Sequence, residues 1–131
     1  MRSLILLFIL TVIFGSFQLA AAQTNREIKL PVNNQKAIDN KGLTVKFVSV
    51  LEDSRCAEGT NCIWAGNAKV QLDLKKKNGA WETFELNTNL EKQEIEFGGY
   101  LIKITELTPA PKENAEIDRT DYIGTFSVTK L

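Results

Sequence analysis

The stretch that decides the fold is Ala68-Lys69-Val70-Gln71-Leu72-Asp73-Leu74-Lys75, in which apolar and polar residues alternate without exception. Because successive side chains of a β-strand point to opposite faces, this alternation predicts a strand with one buried and one exposed face. Other strands must cover the buried face, so the same pattern is expected elsewhere in the chain. The residues predicted to face the core are Ala68, Val70, Leu72 and Leu74.

Two hairpins are predicted downstream of this strand. Asn78-Gly79 tolerates positive φ and suits a tight turn, after which residues 82–86 alternate again and place Phe84 and Leu86 inward. Gly98-Gly99 predicts the turn of the second hairpin. Its inward residues are expected to be Ile95 and Phe97 before the turn, and Tyr100, Ile102 and Ile104 after it.

The pattern breaks in the strand that precedes residue 52. Val48 and Val50 do not keep the alternation that ends at Phe47, and one inserted residue, a β-bulge near Phe47-Val48, explains the change. A strand end that is buried on both faces is the alternative. Nearer the C-terminus, residues 108–112 contain two prolines and are interpreted as a stiff exposed crossing.

The last strand is expected over residues 121–130. It would place Tyr122, Phe126 and Val128 inward, with Gly124 leaving room for the close approach of a neighbour. Seven or eight short strands without a convincing amphipathic helix predict an all-β fold. We expect an antiparallel two-sheet sandwich of immunoglobulin-like size with one disulfide-closed loop, rather than a closed barrel.

Residues 1–22 have the pattern of a secretory signal peptide. Arg2 supplies the positive start, residues 4–14 form an apolar run that is short for a membrane span, and Ala20-Ala21-Ala22 supplies small residues before a cut at Gln23. An uncleaved N-terminal anchor is the alternative. We therefore expect a single β-sandwich domain over residues 23–131 that is periplasmic or secreted, with no membrane span after signal cleavage.

Composition excludes several classes of function. The chain has no histidine, so a Ser-His couple, a Cys-His couple and an imidazole metal ligand are all impossible. Its 16 basic residues balance 16 acidic residues, which argues against a nucleic acid or an anionic membrane surface as the partner. No catalytic residue, metal site or cofactor is predicted, and the protein is not expected to be an enzyme.

Cys56 and Cys62 are predicted to form a disulfide, because an even pair of cysteines in an exported protein is oxidised by default. A ring of this size restricts the unfolded chain by only about 2 to 2.5 kcal/mol, so the bond is expected to shape a loop. A zinc site is a weaker interpretation because two thiols fill half of the coordination shell. The spacing also differs from the Cys-x-x-Cys of redox pairs.

Residues 52–67 form the irregular part of the sequence, and a long loop on a rigid sheet is a typical place for a binding site. In one interpretation the loop is a structural lock. Asp53 accepts hydrogen bonds from backbone N–H groups and a bidentate pair of hydrogen bonds, a fork, from the Arg55 guanidinium. Trp64 packs against the disulfide, and Gly66 adopts a backbone angle closed to other residues. In the other it binds a ligand or partner. The candidate residues are Asp53, Arg55, Glu58, Asn61, Trp64 and Gly66.

Asp53-Ser54-Arg55-Cys56 and Cys62-Ile63-Trp64-Ala65-Gly66 resemble a motif in a family of small, functionally uncharacterised secreted proteins and lipoproteins of bacteria. The likeness extends to Gly99-Tyr100, residues 107–111 and Asp121-Tyr122. It implies a bacterial exported β-domain in which Cys56 and Cys62 are bonded, and it implies no particular activity. The chain differs from the family in having Ala57 where proline commonly follows the first cysteine, and in lacking a cysteine to accept a lipid.

The leading hypothesis is a non-catalytic binding or structural module of the cell envelope, whose partner would be another envelope or secreted protein. A narrower version is a protease inhibitor that presents the disulfide-closed loop, because such a loop loses little entropy on binding. The enzyme alternative is a glycoside hydrolase that uses carboxylates from Glu52, Asp53 and Glu58. Calcium bound by Asp53, Glu58 and Asn61 is a further alternative, based on its preference for oxygen ligands.

Overall fold

The computed structural model describes residues 23–131, so the predicted signal peptide, residues 1–22, lies outside the described residues. The described chain forms two four-stranded sheets. No helix in residues 23–131 has the length and apolar character needed to cross a membrane. The strands are β1 (Asn25–Pro31), β2 (Gln35–Ile38), β3 (Leu43–Asp53), β4 (Ala68–Lys76), β5 (Glu82–Asn87), β6 (Glu94–Phe97), β7 (Tyr100–Thr108) and β8 (Ile123–Lys130).

The two sheets are entirely antiparallel, with strand orders β1-β8-β7-β6 and β2-β3-β4-β5. The chain crosses between the sheets twice, from β1 to β2 and from β5 to β6. Within each sheet consecutive strands are neighbours, apart from the return of β8 beside β1, so the connections are meanders and contain no Greek key. The prediction of an all-β, two-sheet antiparallel sandwich is confirmed.

The core lies between the sheets and is built from the alternating positions that the sequence predicts. The inward residues of β4 are all completely buried; they are Ala68, Val70, Leu72 and Leu74. Edge-to-face aromatic pairs join the two sheets, with 5.5 Å between the ring centroids of Phe47 and Phe126. Gly124 is necessary beside this pair because a Cβ there would lie 2.6 Å from the Phe126 ring. The predicted close approach at Gly124 is confirmed.

Both predicted hairpins form, but one turn is longer than expected. Phe97 pairs directly with Tyr100 across Gly98-Gly99, as a two-residue turn requires. The β4–β5 ladder instead ends at the pair Leu74 and Glu82, so residues 75–81 lie outside it. A local turn in which Gly79 N donates to Lys76 O closes that segment, and it leaves Trp81 beyond the ladder.

Two β-bulges in β3 determine where Asp53 points. The register shifts once between Phe47 and Ser49, as predicted, and again between Val50 and Glu52. Each bulge adds one residue, so the second returns the strand to the original alternation and Asp53 pairs with buried Ala68. The side chain of Asp53 is therefore directed between the sheets, at the end where residues 54–67, called the disulfide loop below, begin.

Candidate functional site

Asp53 and Arg55 form the fork that the sequence predicts. Nε and Nη2 of Arg55 donate to the two carboxylate oxygens of Asp53, each over 2.8 Å, and the backbone N–H of Arg55 donates to Oδ1 over 3.3 Å. Although Asp53 as a whole residue is exposed, its side chain retains only 12% exposure and that of Arg55 only 15%. A bidentate pair sheltered in this way fixes both side chains in one geometry.

Arg55 also binds the end of β7 and the segment that follows it. Nη1 donates to the carbonyl of Leu107, and Nη2 donates to that of Pro109 over 2.9 Å. The backbone N–H of Glu58 donates to the carbonyl of Pro111 over 2.8 Å. Residues 109–112 lie at the surface after β7, where an exposed crossing is predicted, and their carbonyl groups also anchor the disulfide loop, a role that the sequence did not predict.

Tyr122 completes the site, and sequence reasoning missed its polar role. It is buried, as predicted, although it lies just before β8 rather than within the strand, and its hydroxyl donates to Asp53 Oδ2 over 2.9 Å. Burial and the hydrogen bond to the Asp53 carboxylate together raise the pKa of Tyr122 to about 12. The sequence offered only a general indication of this role, because a buried tyrosine hydroxyl needs a hydrogen-bond partner but the partner is not specified.

The pKa of Asp53 moves in the opposite direction. Burial opposes its ionisation, but the hydrogen bonds from Arg55 and Tyr122, together with the charge of Arg55, outweigh that effect and hold the pKa below its usual value. Asp53 is therefore a stable anion. A glycosidase acid needs the reverse shift, towards a carboxyl that keeps its proton near neutral pH.

The structure does not assemble the other carboxylates around Asp53. The carboxylate of Glu52 lies 3.9 Å from the Lys69 ammonium on the outer face of the sheet. Glu58 and Asn61 are exposed, while the oxygens of Asp53 accept from Arg55 and Tyr122. Among residues 23–131, no group of three or more acidic, cysteine or histidine side chains is arranged to hold a metal ion. Neither the carboxylate-enzyme nor the calcium alternative gains support from this arrangement.

The predicted disulfide between Cys56 and Cys62 is present, with Cα atoms 6.0 Å apart. Inside the ring, Thr60 Oγ1 donates to the carbonyl of Ala57 over 2.6 Å. The same Oγ1 lies 3.5 Å from Cys56 Sγ and 3.6 Å from Cys62 Sγ. Thr60 therefore covers the disulfide.

The expectation that Trp64 packs against the disulfide is wrong. Trp64 is 53% exposed, and the neighbouring Ile63 is fully exposed. The physical reason is that Thr60 already occupies the position beside the sulfur atoms. The structural-lock interpretation thus holds for Asp53 and Arg55 at the base of the loop, but not for Trp64 at its tip.

Gly66, at the base of the loop, adopts a backbone angle that other residues rarely adopt, as predicted. Its φ is +74°, and a Cβ at this position would lie 2.0 Å from the carbonyl oxygen of Ser54. The strands on either side are tied together there, because Ser54 N donates to Asn67 O over 2.7 Å and Cys56 N donates to Ala65 O over 2.9 Å. Only glycine fits at position 66 without displacing the chain.

Asn67 is a second residue whose role sequence reasoning missed. It is buried, and its side-chain amide donates to Asn87 Oδ1 over 3.0 Å while its oxygen accepts from the backbone N–H of Asn89 over 3.0 Å. Asn89 in turn donates to the carbonyl of Gly66 over 3.1 Å. These bonds fasten the loop after β5 to the end of the disulfide loop.

No family model, no curated protein and no solved structure matches this sequence. The resemblance to small exported bacterial proteins therefore stays a prediction. In the described residues, the disulfide loop is braced at its base and carries two adjacent exposed apolar side chains, Ile63 and Trp64, at its tip.

Proposed function

We propose that this chain is an exported, non-catalytic binding domain that recognises another envelope or secreted protein through the tip of its disulfide loop, residues 61–65. The exposure of Ile63 and Trp64 carries the proposal. Water contact with two adjacent large apolar side chains is unfavourable, and a partner that covers them recovers that free energy. Tryptophan is also among the residues that dominate protein interfaces energetically.

The bracing of the loop supports the same conclusion. The disulfide between Cys56 and Cys62 and the bond from Cys56 N to Ala65 O hold both sides of the tip. A loop that is already ordered loses little conformational entropy when a partner binds, so more of the contact energy appears as affinity. The geometry thus favours recognition by a preformed surface.

Asp53 and Arg55 support the loop rather than contact the partner in this proposal. Their charged groups are paired with each other, with Tyr122 and with the backbone carbonyls of residues 107 and 109. A ligand would have to displace those bonds before it could use them. The proposed export agrees with the disulfide, a bond that persists in oxidising compartments.

A narrower form of the proposal is a protease inhibitor that inserts this loop into a protease cleft. The bond from Glu58 N to Pro111 O favours it, because it ties the backbone inside the disulfide ring to the segment after β7. An inhibitor of this kind would block a secreted protease at equimolar concentration and would itself stay uncleaved. Residual activity of a panel of secreted proteases, measured with increasing amounts of the protein, tests this version.

Site-specific photocrosslinking in the producing cell tests the proposal. A benzophenone side chain replacing Ile63 is expected to form an adduct with one defined protein. The matched control replaces Glu85, which lies on the outer face of the sheet beside Gln71. A defined adduct from position 63 alone supports the proposal, whereas no adduct there, or the same set of adducts from both positions, contradicts it.

The crosslinked protein can then be purified for a direct measurement of affinity. Trp64→Ala is expected to weaken binding by about 2 kcal/mol or more, as interface tryptophans do. Trp81→Ala changes the other exposed tryptophan and is expected to leave this affinity unchanged. Equal affinities for the wild-type protein and Trp64→Ala would refute the role of the loop tip.

A further inference from the structure

A concave region with a volume of about 390 Å³ lies on the outer face of the sheet β2-β3-β4-β5. It is at the end where Leu43 pairs with Lys76, whereas the disulfide loop leaves from the end where Asp53 pairs with Ala68. At about 3.3 Å per residue, the two ends are roughly 30 Å apart. This region is called the Trp81 pocket below, and it is independent of the proposed function.

The Trp81 pocket carries a local excess of positive charge. Lys41, Lys75 and Lys77 line it, and none of its lining residues is acidic. The chain as a whole has equal numbers of basic and acidic residues, so this excess does not simply reflect composition. Farther along the outer face of the same sheet, Lys46 pairs with Asp73 and Lys69 pairs with Glu52, so the unbalanced basic charge lies at the pocket.

Trp81 gives the pocket an apolar wall. It is 41% exposed and lies beyond the β4–β5 ladder, outside the core. The ammonium of Lys75 lies 5.2 Å from the centre of its ring, which places positive charge beside an aromatic surface. Asn78 and Gln35 add side-chain amides, which can both donate and accept hydrogen bonds.

The loop that carries Lys41 is held in a backbone conformation that non-glycine residues rarely adopt. Asp39, Asn40 and Lys41 have consecutive φ values of +50°, +53° and +68°. The fold maintains this conformation through Asp39, which accepts from the Tyr100 hydroxyl over 2.9 Å and pairs with Arg26 at 3.3 Å. Such strained segments persist where surrounding contacts enforce them, and they concentrate at functional sites.

We propose that the Trp81 pocket binds an acidic saccharide, a sugar ring that carries a carboxylate. The indole would pack against the apolar face of the ring, the amides of Asn78 and Gln35 would bond its hydroxyl groups, and the lysines would pair with the carboxylate. A nucleic acid fits less well, because its backbone needs a basic track over several phosphates and a series of aromatic platforms. The acidic residues farther along the sheet interrupt such a track.

The two tryptophans allow a direct measurement. In the Trp64→Phe protein, Trp81 is the only tryptophan, and its fluorescence is expected to change on titration with an oligogalacturonate. A neutral malto-oligosaccharide of the same length should produce no change. The Trp81→Phe protein, which keeps only Trp64, is the matched control and should not respond to either sugar.

Lysine variants test the charge contribution. Lys75→Gln combined with Lys77→Gln is expected to weaken oligogalacturonate binding at least about tenfold. The control is Lys103→Gln, which removes an exposed lysine from β7 in the other sheet and should leave binding unchanged. Lys77 and Lys103 are exposed and Lys75 is half-buried, so the variants should fold. Circular dichroism checks that they do.

Three outcomes would overturn the proposal. The first is the absence of a Trp81 signal with oligogalacturonate at low ionic strength, where the Debye length is about 30 Å at 0.01 M salt. The second is equal binding of the neutral and acidic sugars. The third is binding of inorganic phosphate or a single-stranded oligonucleotide as tightly as the uronate, which would identify a general anion surface instead.

Discussion

The hydroxyl of Tyr122 donates a hydrogen bond of 2.9 Å to Oδ2 of Asp53, a residue 69 positions earlier in the chain. This bond connects the end of β3 in one sheet with the residue that precedes β8 in the other. Asp53 also accepts from Arg55, which anchors the disulfide loop on the carbonyls of Leu107 in β7 and Pro109 after it. The loop therefore depends on a contact made across the sandwich.

Removing the Tyr122 hydroxyl should destabilise the protein at neutral pH. Tyr122→Phe takes away a donor to a charged carboxylate and is expected to lower the free energy of unfolding by about 1.5 to 3 kcal/mol. Urea unfolding at pH 7 measures this value. A change below about 0.5 kcal/mol would contradict a structural role for the bond.

The same variant should alter the alkaline limb of the stability curve. The pKa of Tyr122 is raised to about 12 by burial and by its bond to Asp53, whereas an unfolded tyrosine titrates near 10. The stabilisation is complete below about pH 10 and is lost as pH rises through about 12. The wild-type advantage over Tyr122→Phe should therefore shrink across that range. Tyr100, whose pKa is also raised, is common to both proteins and cancels in the comparison.

Ionised Asp53 should contribute to the free energy of unfolding, and this contribution should be lost at acid pH. Its folded pKa is lowered, so its contribution is present above the unfolded pKa of about 3.9 and is lost as pH falls through the folded value. Asp53→Asn should be less stable than the wild type by about 1.5 to 3 kcal/mol at pH 7. That difference should diminish below about pH 4. Asp118, whose pKa is also lowered, is unchanged in both proteins, so a constant difference would argue against Asp53.

Gly66 and Gly59 provide a matched pair within one loop. Both have positive φ, but a Cβ at Gly66 would collide with the carbonyl of Ser54, whereas nothing lies within 4 Å of a Cβ at Gly59. Gly66→Ala is expected to cost about 3 kcal/mol or more, and Gly59→Ala only the 1 to 2 kcal/mol of the left-handed conformation. Denaturant midpoints distinguish the two. Similar costs would show that the packing around Gly66 relaxes easily.

The disulfide should shape the loop without holding the domain together. Replacing Cys56 and Cys62 with serine is expected to lower stability by no more than about 2 to 3 kcal/mol and to leave the far-ultraviolet β-sheet spectrum intact. The reason is that Arg55 and Glu58 still bind the carbonyls of residues 107–111. Loss of folding in the double variant would show instead that the ring organises the core.

Trp64 should matter little for stability. Because about half of its surface is exposed, Trp64→Ala is expected to change the free energy of unfolding by no more than about 1 kcal/mol. Phe47→Ala, which empties a completely buried position, sets the scale at about 3 to 5 kcal/mol. A cost for Trp64→Ala close to that of Phe47→Ala would restore the interpretation of Trp64 as part of the lock.

Local sequence chemistry determined a large part of this protein. The alternation around Ala68 to Leu74 predicted a strand and its buried face, because the side-chain period of a strand is two residues wherever the strand lies. The break after Phe47 predicted the first bulge. The fork between Asp53 and Arg55, the disulfide and the backbone angle of Gly66 were also predictable, because each depends on residues close in the chain.

Only the tertiary structure decided which distant groups meet. Arg55 binds the carbonyls of Leu107 and Pro109, and a carbonyl acceptor has no sequence signature because every residue carries one. Thr60 Oγ1 lies within 3.6 Å of both disulfide sulfur atoms, whereas Trp64 is 53% exposed. The Trp81 pocket forms because β2, β3 and β4 bring residues from separate loops to one end of a sheet. Local periodicity establishes which face of a strand is buried, but long-range packing determines what lies opposite it.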